Sequence, residues 1–431
     1  MRRVVGSPPS RVAVADVNHG GLVLAGELCR LGYEAFAVDI YGTRKHDDSA
    51  VKVVTPDRAG RFDALVVPVH MPPGPLTDYA RKEGIPVCTH HCMAGMIARA
   101  TGRLDGLRSV EITGTRGKTT TAFALANILT AAGERVLLHT SSGLYFDGAP
   151  AGTRLSITPA SILGALDRPL AARPTVFVAE VSLGGCGIAD VGVITTLQHD
   201  YPVAGGTVRS SQAKMQMIEY ARPDSTVVHD SSFCTIGTPQ EITFGPGGDI
   251  DYNDDGLIES ALFPDGAINP RWSRGLDPAA YRQPVLCAAA AAIGLGVGPD
   301  AIGRGLESFG GVPGRMKYET LEGRQLLDNS GSGLSLAGVA YALAAGGVSG
   351  RRVLVAGEEK YNVCEGLPPG GVLEIARDAK AEGIVLVGER LRDMAAAAGY
   401  AWAPDLDGGI AAALAMTGPG DTIISCVKTW R

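Results

Sequence analysis

The sequence predicts an α/β protein of three units in series, each a mostly parallel sheet flanked by helices. Three observations predict it. Short β-branched runs alternate with amphipathic stretches along the whole chain, a βαβ rhythm. The 431 residues suit about three domains at roughly 150 residues each, with cores that need no metal or disulfide staple. A strand, a glycine-rich turn and a helix follow one another at residues 109–132, the arrangement of a phosphate-binding loop.

In chain order, "RVAVAD", "EAFAVDIY", "FDALVVPV" and "IPVCT" are the predicted strands of the first unit, with a helix from Gly21 after the first of them. The second unit opens with "SVEIT" and a helix after Gly117 whose Leu125, Ile128, Leu129 and Ala132 share one face. "VLLHT", "TVFVAEV", "VGVITTL" and "STVVHD" follow as buried strands, and the tract "FGPGGDIDYNDDG" reads as a turn region. "RRVLVAG", "GIVLVG" and "DTIISCV" are strands of a third unit separated by Ala-rich helices. The expected boundaries are 1–108, 109–313 and 314–431, with no short internal repeat.

Composition narrows the function. A net charge of −6 disfavours a nucleic-acid partner. Residues 1–108 nevertheless hold 14 Arg and Lys against 11 Asp and Glu, so an acidic substrate suits that end better. The eight cysteines include no C-x-x-C pair and read as reduced thiols of an intracellular protein. The apolar run Val285–Gly298 is too short to span a bilayer, and "MRRVVGSPPS" lacks a signal-peptide core, so a cytoplasmic protein without a membrane partner is expected.

The loop "VEITGTRGKTTT" carries the chemistry. Gly114 and Gly117 let the backbone bend tightly and approach phosphate oxygens, while Thr115, Arg116 and Thr120 complete the cradle. Lys118 supplies a cation for the outer phosphates and Thr119 a hydroxyl for magnesium. The field at a helix N-terminus is worth only about 0.3–1 kcal/mol, so the lysine and the metal must supply most of the phosphate affinity. The spacing is not that of the common loop, which would put a glycine where Ile112 stands.

The shortened form T-G-T-x-G-K-[ST]-[ST], Thr113–Thr120 here, resembles the loop of the Mur ligase superfamily, and further landmarks follow in order along the chain. The resemblance implies a three-domain ATP-dependent ligase using ATP and Mg2+. It places Glu180 of "TVFVAEVSLGG" on magnesium and a metal-side role on "LQHD", with His199 and Asp200 as alternatives. Lys214 of "SSQAKMQM" stands where many members carry a carbamylated lysine, a second source of oxygen ligands, against the reading of a plain helix-surface lysine. Arg315 of "VPGRMKYE" matches an arginine reaching to ATP, Asp328 of "LLDNS" an aspartate on the ribose, and both imply closure of the third domain over the nucleotide. Lys428 lies near the terminal K-G-S element, with Thr429 and Trp430 in place of its glycine and serine.

The same resemblance implies transfer of the γ-phosphoryl group to a substrate carboxylate and attack on the acyl phosphate by a nucleophile. Amino-acid-adding members show an Asn-Pro after the ribose aspartate, whereas this chain reads "DNSGSGLSLAG". The N-terminal strand ends "VADVNHGG", "VHMPPGP" and "CTHHC" hold Asn18, His19, His70, His90 and His91, with His46 nearby. They resemble a Mur-like branch of methanogenic archaea that acts on a nickel tetrapyrrole, which implies Asn18, His19, His90 and His91 as substrate contacts. Thr158 of "SITPAS" resembles a further substrate contact, a helix cap being the other reading. "CTHHC" matches no common zinc spacing and is read as a turn with a substrate contact. An amide-forming Mur relative is the alternative function.

Overall fold

The computed structural model describes residues 11–43, 51–198, 200–233, 240–263, 267–271, 273, 275–346, 350–359 and 366–429. The first sheet joins β1 (Arg11–Ala15), β2 (Glu34–Val38), β3 (Val53–Val54), β4 (Ala64–Val67) and β5 (Val87–Thr89). Their order is β3-β2-β1-β4-β5, and every pair is parallel. Chain direction across the sheet therefore reverses between β1 and β4. Helices α1 (Gly21–Arg30) and α2 (Pro75–Lys82) make crossovers, α3 (His90–Ala100) leads from β5 to the second sheet, and the three pack against the strands.

The second sheet centres on β6 (Arg108–Thr113), which feeds α4 (Lys118–Ala131). Around it stand β7 (Val136–Thr140), β8 (Gly143–Phe146), β9 (Ala149–Pro150), β10 (Val176–Glu180) and β11 (Val191–Ile194). A small antiparallel pair, β12 (Pro202–Val203) and β13 (Val208–Arg209), lies apart from the sheet. The sheet continues through β14 (Thr226–Asp230), β15 (Gln240–Phe244), β16 (Ile250–Tyr252) and β17 (Ile258–Ser260). Among the described residues the pairs from β16 through β15, β14, β11, β6, β10 and β7 are parallel, with antiparallel pairs at both edges. Helices α5 (Ser161–Leu166), α6 (Ser210–Lys214), α7 (Gln216–Glu219), α8 (Pro278–Gly294) and α9 (Pro299–Glu307) complete this part.

The third sheet has the order β18 (Lys317–Leu321), β19 (Arg324–Asp328), β23 (Thr422–Lys428), β20 (Arg352–Glu358), β21 (Gly383–Val387), β22 (Ala401–Ala403). Only its edge pair β18–β19 is antiparallel among the described strands. Helices α10 (Leu336–Ala345), α11 (Pro369–Asp378), α12 (Arg392–Ala398) and α13 (Leu406–Met416) flank it. The α/β class of mostly parallel sheets thus holds. No described helix is long and apolar enough to cross a membrane.

Two local readings change. The Gly- and Asp-rich tract contains a strand, because Ile250 is buried and β16 pairs with both β15 and β17 while Gly245 and Gly247 make the turn before it. In α4, Leu125, Ile128 and Leu129 are buried, but Ala132 is the exposed C-cap residue. Gly133, at φ +91°, ends the helix there.

Contacts gather the chain into two compact units, Met1–Pro270 with Gln283–Leu306, and Arg271–Arg282 with Glu307–Arg431. The first two sheets share a unit because their cores are continuous. Met93, Ala94 and Ile97 of α3 pack in one cluster with Phe177, Cys186 and Ile188. Gly95 makes that approach possible: a Cβ on it would lie 1.9 Å from the Cys186 carbonyl oxygen. Replacing it, Gly95→Ala, is expected to cost about 1–3 kcal/mol through forced backbone separation. Urea unfolding of the variant measures this, and an unchanged midpoint would show that the two layers yield freely.

Candidate active site

The loop 114–117 is held open by its neighbours. β6 and β11 run parallel, and where they end the Thr195 hydroxyl donates to the carbonyls of Thr113, at 3.2 Å, and Arg116. Thr115 N–H donates to Thr196 O at 2.8 Å. Gly114 has φ +143°, and a Cβ there would stand 2.0 Å from Thr195 Oγ1. Gly117, at φ +81°, is the N-cap of α4 and has no side chain with which to satisfy the helix's first N–H groups. Those groups remain directed into the turn, an anion site by construction. Lys118 folds over it, its Nζ donating to Gly114 O at 3.0 Å.

In the first turn of α4, Thr119 Oγ1 donates to Glu180 Oε2 at 2.9 Å. Glu180 ends β10, next to β6 in register, so the sheet itself sets this meeting. The same carboxylate oxygen accepts Ser141 N–H at 3.0 Å. A buried hydroxyl and a carboxylate side by side form an oxygen-only donor set, which suits a hard cation such as Mg2+. Thr120, beside it in the first turn, is also buried.

Lys214 ends the short helix α6 and is 0% exposed, its Nζ 5.3 Å from the Tyr201 ring centre. Asp200 caps that helix: it accepts from Ser210 Oγ, Ser211 N and Ser211 Oγ at 2.7–2.8 Å, and from Arg209 Nε at 3.0 Å. Burial alone would raise the Asp200 pKa, but these donors hold it well below the usual carboxylate range. Its oxygens are committed to fixing the lysine's helix. His199, its alternative at the metal, lies outside the described residues, as do His46 and Trp430.

The switch between β1 and β4 gathers the N-terminal candidates. Asn18 and His19 follow β1, and His70 follows β4. Asn18 Nδ2 donates to Thr43 Oγ1 at 2.9 Å. His19 Nδ1 donates to Asp16 Oδ2 at 2.5 Å, which raises its pKa against the opposing effect of burial. Burial disfavours the Asp16 anion, yet hydrogen bonds from His19 and the Asn18 N–H, with the His70 imidazole close by, keep it well below the usual range. Thr158 comes to the same place: a Cβ on Gly20 would lie 3.5 Å from its Oγ1. Its hydroxyl also meets Ser161 Oγ at 2.8 Å and Ser156 Oγ at 3.1 Å, a local network at the start of α5.

His90 and His91 sit behind that edge. Both are buried at the start of α3; His90 Nε2 donates to Ala15 O at 2.9 Å, and His91 lies against Gly184. Of the imidazoles at this edge, His19 is exposed and His70 half-buried. Among the described residues, "CTHHC" contributes to no cluster of three potential metal ligands.

In the other unit, Arg315 and Asp328 are brought together. Gly314 N–H donates to Asp328 Oδ2 at 2.9 Å and Ser330 N–H to Oδ1 at 3.0 Å. Burial raises the Asp328 pKa against these bonds. A Cβ on Gly331 would stand 1.7 Å from Arg315 Nη1. Lys428 Nζ donates to Leu334 O at 3.0 Å, tying the end of β23 to the same loop.

Sequence reasoning missed Asp16, His70, Ser141 and Thr195 as site residues. Each stands at or just beyond a strand's carboxyl end, the edge where open α/β sheets bind ligands, and that position was the available signal.

Known proteins resemble this chain at two levels. Residues 318–429 match the family described as coenzyme F430 synthetase CfbE, C-terminal domain. A coenzyme F(430) synthetase of Methanosarcina acetivorans is 36% identical, over 98% of this chain and 99% of its own. Among solved structures, MurF from Acinetobacter baumannii superposes with a TM-score of 0.58 at 16% identity, covering 87% of this chain and 89% of its own. E. coli FolC in complex with DHPP and ADP gives 0.57 at 19% identity, covering 78% and 89%.

The buried histidines predict a pH dependence. Burial pushes His90 down to about 4 and His91 to about 3, whereas the unfolded rings protonate near about 6.5. The stability gained by keeping them neutral is complete above that value and is lost as pH falls toward the native values. Denaturant midpoints are expected to drop between about pH 6.5 and about pH 4, by up to about 1.4 kcal/mol per pH unit for each ring. His91→Phe should flatten this slope, and an unchanged slope would assign it to other groups.

Proposed function

The chain belongs to the coenzyme F(430) synthetase family, a branch of the Mur ligases, and from that premise we propose that it is an ATP-dependent ligase closing the cyclohexanone ring of a nickel seco-tetrapyrrole. The observation that carries the ligase chemistry is the 2.9 Å contact of Thr119 Oγ1 with Glu180 Oε2 beside the open loop. It supports a phosphate cradle and a hard-cation site sharing one wall.

In this reading a substrate carboxylate oxygen attacks the γ-phosphorus of ATP, and ADP leaves. A carbon of the same macrocycle then attacks the acyl carbon as its proton is lost, and inorganic phosphate departs with the transferred carboxylate oxygen. Lys118 and the N–H groups of α4 neutralise the phosphoryl charge that would otherwise repel the carboxylate. Magnesium held by Thr119 and Glu180 supplies further positive charge when bound. A carbamate on Lys214 would add oxygen ligands to the metal side. His199 is proposed to act on the metal side, Asp200 to position Lys214's helix. Arg315 and Asp328 are assigned to the phosphates and the ribose. Asn18, His19 and Thr158 contact the substrate, with His90 and His91 in the layer behind. An intramolecular carbon nucleophile needs no amino-acid pocket, since the ring supplies its effective concentration.

Purified protein with ATP, magnesium and the nickel seco-tetrapyrrole should release phosphate and change its visible absorption. Turnover only when an amino acid is added would favour the amide-forming alternative. Lys118→Ala should lower kcat by roughly 100- to 1,000-fold or more; near-normal turnover would displace the loop from its assigned role. Lys214→Arg, or removal of bicarbonate, should also depress the rate, and a fully active arginine variant would reject the carbamate.

A further inference from the structure

The carboxyl edge of the first sheet holds a cluster in which the ligase reading uses His19 alone, leaving Asp16 and His70 without a role. Asp16 follows β1 directly, His19 lies three residues on, and His70 comes from the end of the adjacent strand β4. Their donor atoms all lie within 4.8 Å of one another. We propose that Asp16, His19 and His70 form a binding site for one divalent late transition metal ion of the zinc, cobalt or nickel type.

The separations fit one ion. Two donors, each about 2.0–2.1 Å from a metal at tetrahedral or octahedral angles, stand about 3 Å apart. His19 Nδ1 is 2.5 Å and His70 Nε2 3.5 Å from Asp16 Oδ2, values that bracket this spacing. The second is long for a hydrogen bond. The two rings are near-perpendicular, with centres 4.7 Å apart.

The carboxylate is prepared for the task. Asp16 is 0% exposed and takes φ +73°, a conformation rare outside glycine that persists only where the surroundings enforce it. Its backbone N–H is pinned to Val38 O at 2.9 Å. Oδ1 accepts Asn18 N–H at 2.7 Å, which orients the group and leaves Oδ2 to the histidines, as an outer-shell hydrogen bond does in metal sites. The side chain of His19 is 48% exposed, so the cluster meets solvent on that side, while His70 Nε2 is buried and has no hydrogen-bond partner.

Two imidazoles and a single carboxylate favour a late transition metal over Mg2+, which prefers oxygen. This ion is therefore distinct from the one assigned to Thr119 and Glu180. Three protein donors leave coordination positions for water or for a carboxylate of a ligand in the switch-point crevice.

The test uses the full chain, stripped with chelator and titrated with Co2+ alone, without nucleotide or tetrapyrrole, so its result is independent of the ligase reading. One equivalent should bind with visible d–d absorption, and Zn2+ or Ni2+ should displace it while Mg2+ does not. His19→Ala and His70→Ala, checked for fold by circular dichroism, should each weaken binding by roughly 100-fold or more. Absence of cobalt binding, displacement by Mg2+, or equal binding by the double variant would overturn the site.

Discussion

The hydroxyl of Thr195 braces the turn between β6 and α4. A four-residue turn between a strand and a helix cannot fix its own shape, and the proposed phosphate cradle requires N–H groups available at the helix start. Thr195 braces the turn from a neighbouring strand by taking up the carbonyls of Thr113 and Arg116, while Thr196 O holds the Thr115 N–H. Gly114 is required because that hydroxyl fills the space a Cβ would need. Parallel pairing of β6 with β11 and β10 then delivers Thr195 from one side and Glu180 from the other.

The same sheet logic extends into the first unit's other half. Thr89, at the end of β5, caps α3 through Cys92 N–H and donates to Gln216 Oε1 at 2.8 Å, two residues beyond Lys214. The strand end that leads to His90 and His91 is thereby joined to the segment carrying the buried lysine. With the shared apolar cluster behind it, this makes the first two sheets a single packed body, in which Thr158 and the β1 edge can meet.

The two proposed cation sites differ in donor type. Around α4 the donors are a hydroxyl and a carboxylate, suited to a hard ion that travels with phosphate. At the β1–β4 switch they are imidazoles backed by a buried carboxylate.

The sequence determined by itself the α/β class, the strand-turn-helix at 109–132, and the order of Lys118, Thr119, Glu180 and Lys214, because local pattern and residue type specify such features. It did not show that a Gly- and Asp-rich tract holds a strand, since β16 owes its existence to partners on both sides. Nor did it distinguish Asp200 from His199: only the folded chain commits the aspartate to Ser210, Ser211 and Arg209. Burial of His90 and His91, exposure of His19, and the meeting of Asp16 with His19 and His70 were likewise decided by tertiary structure. A strand end is legible in one dimension, but which ends stand side by side depends on sheet order, and sheet order is fixed by packing between residues far apart in the chain.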